Sequence, residues 1–521
     1  MSVEIKQAKC IAVLGTGSDV GKSVVATALC RIFSDQGHKV APYKAQNMSN
    51  NSGVTPEGLE MGRAQIVQAE AARIAPHVDM NPVLLKPVTQ IGSQVVLLGK
   101  VHKDLSAAEY HREKAKLWDT ACRALDRLRA SNDVVVMEGA GSCAEVNLMA
   151  RDIVNLKMAA YAKAPVILTA DIDRGGVFAQ IVGTLACLNK AEQDMIAGVI
   201  INRFRGDIAL FKEGVAWIEK KTGKPVFGVL PWVNHRIPNE DSVVIEQAVA
   251  KIDPTQTPTV LVVRTPHISN FTDFDPLFQV DGLGVDFVEH PRDLAAYKAV
   301  ILPGSKSTRS DLNWLARTGW ASKIQTYVKN GGHILGVCGG YQMLGTKVHD
   351  PHGFEGTPGD TYGLGLLPLE TVLKAPKTTT ISRFEWDGVP GLGYEIHMGR
   401  TVPADRIASG KPEDKGLLRV KERNRQACTD FDGAATDSGR VMGTYMHGFF
   451  DSAPILKKWL SLLGLGKLEP PESCGLHGRD RQYDMLARHF ETHVDVAAIV
   501  CAMNLKKVMG VPYPCRLPVN T

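Results

Sequence analysis

None of the ten cysteines in this 521-residue chain forms a CxxC pair. Scattered cysteines make neither a zinc site nor a disulfide framework, and they suit a reducing compartment. No long run of lysine and arginine is present, and the formal net charge is only +5. A nucleic-acid partner is therefore not indicated. No apolar stretch is long enough to span a bilayer. The first residues, Met1 to Lys6, lack the apolar core of a signal peptide. There is no internal repeat and no low-complexity tract. These absences set the expectation of a cytoplasmic protein that works on small molecules, without nucleic acid or membrane. The length exceeds what one hydrophobic core organises, so two or three domains are expected.

What is present is a repeated alternation of short apolar runs and longer amphipathic segments. Ile11-Ala12-Val13-Leu14, Val134-Val135-Val136-Met137, Val166-Ile167-Leu168-Thr169 and Gly198-Val199-Ile200-Ile201 read as buried parallel strands. A second set begins with Val260-Leu261-Val262-Val263, Ala299-Val300-Ile301-Leu302 and His333-Ile334-Leu335. The segments Thr378–Ile381 and Arg440–Thr444 read as antiparallel additions, and the chain from Asp451 onward reads as helical. The fold class is α/β: a doubly wound parallel-sheet domain over residues 1–238, a polar linker over 239–258, a second α/β domain over 259–495 and a tail over 496–521.

After the first strand comes Gly15-Thr16-Gly17-Ser18-Asp19-Val20-Gly21-Lys22-Ser23. Glycines here let backbone N–H groups face phosphate oxygens, and the following helix N-terminus favours an anion. Thr16, Gly17, Gly21, Lys22 and Ser23 are thus candidates to bind ATP, with Lys22 offsetting phosphate charge and Ser23 ligating Mg²⁺. The first glycine stands one residue earlier than in a strict phosphate-loop spacing. Glu138 ends the strand Val134–Met137, in the Glu138-Gly139-Ala140-Gly141 turn, where an acid can hold Mg²⁺ opposite the loop. Lys44, Gln46 and Asn47 fall in a run of hydrogen-bonding residues after the second strand, and Asp173 and Arg174 follow a later one. All five are candidate substrate contacts.

The stretch Gly336-Val337-Cys338-Gly339-Gly340-Tyr341-Gln342 follows an apolar run and precedes a helix-like segment. A cysteine on such a strand–turn–helix elbow is expected at an exposed tip, among N–H groups that favour its thiolate. Its base is expected to be His447, just after an apolar strand; His397 remains an alternative, and His333 is disfavoured because it precedes the strand. Gly339 and the Gly304-Ser305 turn are candidate oxyanion donors, with Gln342 beside them in the glutamine site.

The Gly-Thr-x-x-x-x-Gly-Lys-Ser loop resembles that of dethiobiotin synthetase and its relatives, which use ATP to activate a carboxylate. The cysteine elbow resembles that of class I glutamine amidotransferases. Many of those carry a glutamate two residues after the histidine; Phe449 stands there in this chain. Glu395 is then the candidate to orient His447. Runs at 44–52, 60–65, 170–178, 202–207, 268–273, 302–308 and 394–399 extend the resemblance to the cobyric acid synthase family of cobalamin biosynthesis. That resemblance implies a glutamine-hydrolysing ligase that uses ATP and Mg²⁺, with a corrinoid as the small-molecule partner. The sister amidase that makes cobyrinic acid a,c-diamide, and a partitioning-type P-loop ATPase, are the competing readings. The second has no use for Cys338 and His447.

Overall fold

The apolar runs become the strands of two parallel sheets. In the computed structural model, which describes residues 7–89, 92–233, 253–404, 415–471 and 476–505, the first sheet has six strands. Their order is Val226–Pro231, Ile196–Phe204, Val166–Asp171, Lys9–Gly15, Val134–Glu138 and Val40–Tyr43, all parallel. The three central strands are almost wholly buried, as covering by helices on both faces requires. The phosphate loop follows Gly15, and Glu138 ends the neighbouring strand, opposite Val13 in register. Both therefore stand at the C-terminal edge of the sheet, where ligands of such folds bind.

The second sheet has the order Gly284–Val288, Thr259–Val263, Ala299–Leu302, His333–Val337, Val441–Thr444 and Ala434–Ala435. The Val441–Thr444 strand meets the expectation of antiparallel pairing on one side only, with Ala434–Ala435. It runs parallel to the strand before Cys338, with Ile334 opposite Val441 and Val337 opposite Thr444. All four of its residues are buried, so it occupies the sheet interior. The Thr378–Trp386 strand does pair antiparallel, with Val389–His397 and Leu418–Arg423.

The helices Leu476–His493 and Val496–Ala502 correct the expected domain assignment. Tyr483, Leu486, Phe490, Ile499 and Val500 share a core with Phe33 and Leu29 of the first domain. Arg31 of helix α1 (Lys22–Asp35) bonds Asp480 and Asp484, each at 2.7 Å. Arg479 and Tyr483 bond Glu70 on helix α2 (Arg63–Ala71) at 2.9 and 2.7 Å. Chain order put Leu476–His493 with the second unit and Val496–Ala502 in the tail; burial puts both on the first domain. The expected linker lies largely outside the described residues. Cys501 is disulfide-bonded. No described helix is long and apolar enough to cross a membrane.

Candidate active sites

The elbow forms because backbones meet closely around Cys338. A Cβ on Gly340 would lie 2.0 Å from the Leu302 carbonyl oxygen, so only glycine lets the helix Gly339–Leu344 dock there. Cys338 itself takes φ 52° and ψ −107°. That strain costs about 1–3 kcal/mol for a non-glycine residue, and packing must hold it. The Cys338 amide donates to the Thr444 carbonyl at 2.8 Å, fixing the elbow to the strand that leads to His447. The expectation of an exposed tip is corrected: Cys338 is buried. It lines an interdomain cavity of 720 Å³, together with His447, Ser305, Asn270, Glu60 and Lys377.

His447 lines the same cavity as Cys338, whose thiol donates to the Ile396 carbonyl at 3.4 Å. The His447 Nδ1 lies 2.6 Å from Oδ2 of Asp273, whose other oxygen accepts from the Gly448 amide at 3.0 Å. The ring stacks on Tyr394, and backbone bonds in both directions join Tyr394 to His447. Burial disfavours charge on the imidazole, but the Asp273 carboxylate and then Cys338 outweigh it and push its pKa up to about 10. The imidazole thus holds a proton readily, with Nδ1 committed to Asp273. Asp273 is the residue that sequence reasoning missed. It stood within the quoted 268–273 run, but 174 residues before the histidine, where no local spacing marks it.

Glu395, expected in that role, is engaged elsewhere. It accepts from Ser382 at 2.9 Å and from Arg423 at 3.0 Å. The rival base His397 stacks on Tyr445 with ring centroids 3.6 Å apart, and its Nδ1 faces the Gly399 carbonyl. His333 begins its strand, at the end away from the elbow. Gly304 and Gly339 do converge: a Cβ on Gly304 would lie 3.2 Å from Cε1 of His447, and one on Gly339 would lie 2.8 Å from the Ser305 nitrogen. Gln342 lines the cavity, but its amide is spent on protein. It accepts from Thr308 at 2.9 Å and donates to Met398 and Tyr445 at 3.0 and 3.1 Å, so it braces the elbow.

At the other centre, Gly21 caps α1 with φ 96°; a Cβ there would strike the Asn202 amide. Thr16 is tied back by its amide to the Thr169 carbonyl at 3.0 Å. Lys22 Nζ donates to the carbonyls of Gly17 and Gly141 at 2.8 and 2.9 Å, straddling the loop and the turn after Glu138. Ser23 Oγ and Lys44 Nζ both donate to Oε1 of Glu138, at 2.8 and 2.9 Å. Gln68 of α2 donates to the other oxygen of that buried carboxylate. Lys44 therefore sits inside this centre. Gln46 accepts from Tyr110, and Asn47 donates to Gln65 at 3.0 Å. Asp173 and Arg174 lie at the loop rim. Arg174 pairs with Asp19 of the phosphate loop at 2.5 Å, and Asp173 pairs with Arg205 at 2.6 Å.

Residues 11–243 match the family described as the CobQ/CobB/MinD/ParA nucleotide binding domain, and residues 259–455 match the CobB/CobQ-like glutamine amidotransferase domain. The chain is 52% identical over 503 residues to a cobyric acid synthase of Chlorobaculum tepidum, covering 95% of this chain and 98% of that one. It is 51% identical over 500 residues to one of Chlorobium phaeobacteroides, covering 94% and 98%. A Salmonella arizonae cobyric acid synthase is 45% identical over 503 residues, covering 94% and 97%. With a cysteine–histidine elbow in one domain and a phosphate loop in the other, at this identity over nearly the full length, the chain belongs to the cobyric acid synthase family.

Proposed function

We propose that this chain uses ATP and glutamine to convert the b, d, e and g carboxylates of adenosylcobyrinic acid a,c-diamide into amides, with one ATP for each amide. The observation that carries this reading is that one chain holds both halves of such a reaction. Cys338 and His447 suit release of ammonia from glutamine, and Lys22, Ser23 and Glu138 suit handling of a nucleotide.

A carboxylate is a poor electrophile toward ammonia. Phosphoryl transfer from ATP makes it an acyl phosphate, whose phosphate leaves when ammonia attacks. Lys22 and the N-terminus of α1 offset charge on the phosphates. Ser23 Oγ and Glu138 Oε1 already converge at 2.8 Å, and these hard oxygen donors fit Mg²⁺ together with phosphate oxygens. Bound there, the ion would neutralise charge on the transferring group. Lys44, Gln46 and Asn47 form the acceptor side, and Asp173 and Arg174 brace the rim of the loop.

In the other cavity the Cys338 thiol gives its proton to His447, and the sulfur attacks the carboxamide carbon of glutamine. The oxyanion is held by backbone N–H groups at Gly339 and the Gly304-Ser305 turn. The C–N bond breaks as His447 returns the proton to the departing ammonia. Water then hydrolyses the glutamyl thioester to glutamate. Ammonia passes inside the protein to the acyl phosphate, because protonation in solvent would remove its nucleophilic lone pair.

The test is a mass spectrum of the corrinoid after reaction with Mg-ATP and glutamine labelled with ¹⁵N in its amide. Uptake of four labelled nitrogens by adenosylcobyrinic acid a,c-diamide is expected. No uptake there, with two on cobyrinic acid itself, would transfer the chain to the a,c-diamide-forming step.

A further inference from the structure

The hairpin formed by strands Ser52–Val54 and Glu60–Gly62 belongs to the first domain, yet it is fastened to the second at three points. The Ser52 amide donates to Asn270 Oδ1 at 3.0 Å, Thr379 Oγ1 donates to the Gly58 carbonyl at 2.6 Å, and Lys377 Nζ donates to Glu60 Oε2 at 2.7 Å. The last contact belongs to a buried cluster. Glu60 Oε1 also accepts from Lys86 at 2.7 Å and from Ser52 Oγ at 2.8 Å, and Lys86 donates to Ser52 Oγ at 2.8 Å. Glu60 is 1% exposed and Lys86 is 3% exposed. Burial opposes the carboxylate's charge, but Lys377 and Lys86 hold Glu60 ionised well below the usual range.

Glu60, Lys86 and Lys377 all face the cavity that contains Cys338 and His447. The chain leaves the hairpin directly into α2, every polar residue of which but one is buried. Nine residues of helix span about 13 Å. Near the far end, Gln68 touches Glu138 of the nucleotide centre. One continuous element therefore walls the glutaminase cavity at its start and contacts the phosphate-loop carboxylate at its end. Along the way Gln65 Nε2 and Gln68 Oε1 are buried atoms with no hydrogen-bond partner among the described residues.

We propose that the Glu60–Lys86–Lys377 cluster is the seam that seats this hairpin on the glutaminase cavity and keeps released ammonia from solvent, so that Lys377 and Glu60 are positioning residues for coupled transfer. The proposal rests on the internal passage of ammonia stated above. Lys377 is the better residue to change, because its loss leaves the Glu60–Lys86 pair intact, whereas loss of Glu60 leaves two buried lysines facing each other.

The experiment uses the full chain with ¹⁵N-amide glutamine, Mg-ATP, corrinoid and unlabelled ammonium chloride as competitor. It reads ¹⁵N in the product, glutamate released per amide formed, and the rate with ammonium alone. The unaltered chain is expected to yield mainly ¹⁵N product. Lys377→Met is expected to release about threefold or more glutamate per amide and to admit unlabelled nitrogen, while keeping its ammonium-driven rate; Thr379→Val, which removes a different stitch, is expected to do the same more weakly. An unchanged ratio and label in Lys377→Met would overturn the seam while leaving internal passage intact. Equal loss of glutamine-driven and ammonium-driven rates would also overturn it, as a merely structural role. Full dilution of label in the unaltered chain would overturn internal passage, and the seam with it.

Discussion

The two reactive centres are built on opposite principles. At Cys338 the side chains are aimed: the cysteine is held at a strained φ of 52°, and His447 is fixed by Asp273, Tyr394 and its own backbone bonds. At the phosphate loop the side chains are charged and hold one another. Lys22 lies on two carbonyls, while Ser23 and Lys44 share one oxygen of Glu138. The difference follows from the chemistry. Covalent attack at a carboxamide needs one atom placed and one proton held, so geometry comes first. Phosphoryl transfer needs charge arranged around anionic oxygens, and clustered lysine and hydroxyl donors supply it.

That contrast is open to breakage by substitution. The largest effect is expected at Lys22. Lys22→Ala should lower amidation by about 10³-fold or more with either glutamine or ammonia as donor, while glutamate release persists. A rate near normal in that variant would remove the phosphate loop from the reaction.

Asp273→Asn should lower only the glutamine-driven rate, by roughly 10²-fold or more, because His447 loses the acceptor that fixes its tautomer. The ammonia-driven rate should stay unchanged, which a general loss of folding would not allow. Glu395→Gln is the control for the rejected orienting residue. It should cost about 1–3 kcal/mol of stability by weakening the bond from Arg423, which keeps Asp430 as a second carboxylate, yet move the glutaminase rate by no more than about threefold. The reverse order of the two rate effects would restore Glu395 to the site.

A smaller effect is expected on stability against pH. The folded-state pKa of His447 is raised from 6.5 to about 10. Its stabilisation is therefore fully present below about 6.5 and is lost as pH climbs through about 10. The gap in unfolding free energy between the unaltered chain and Asp273→Asn, on the order of a few kcal/mol, should be widest near pH 6.5 and should narrow toward pH 10. A gap that is constant across this range would show that Asp273 does not set the charge on His447.

Where the sequence carried short-range patterns, it was legible. Continuous apolar runs marked the central strands of both sheets, and glycine spacing marked both turns where backbone must come close. Elements whose place depends on distant partners were not legible. Val441–Thr444 is buried throughout and pairs parallel on one side and antiparallel on the other, which nothing in its four residues marks. The amphipathic helix at Leu476–His493 follows the second domain in order, yet the buried Arg31 and the partly buried Glu70 of the first domain draw it back. Asp273 reaches His447 only because the Phe271–Phe274 turn folds beneath the His447 strand. Lys44 bonds Glu138 across 94 residues, a pairing that no local spacing marks.

The most direct measurement of the division between the two centres is the amidation rate of Cys338→Ser with each nitrogen donor, on protein whose fold is verified by its unfolding transition. Glutamine-driven amidation should vanish, while ammonia-driven amidation should proceed at the rate of the unaltered chain. Loss of both in a folded protein would contradict the account, because it would make Cys338 necessary to a step that the phosphate-loop centre is held to perform alone.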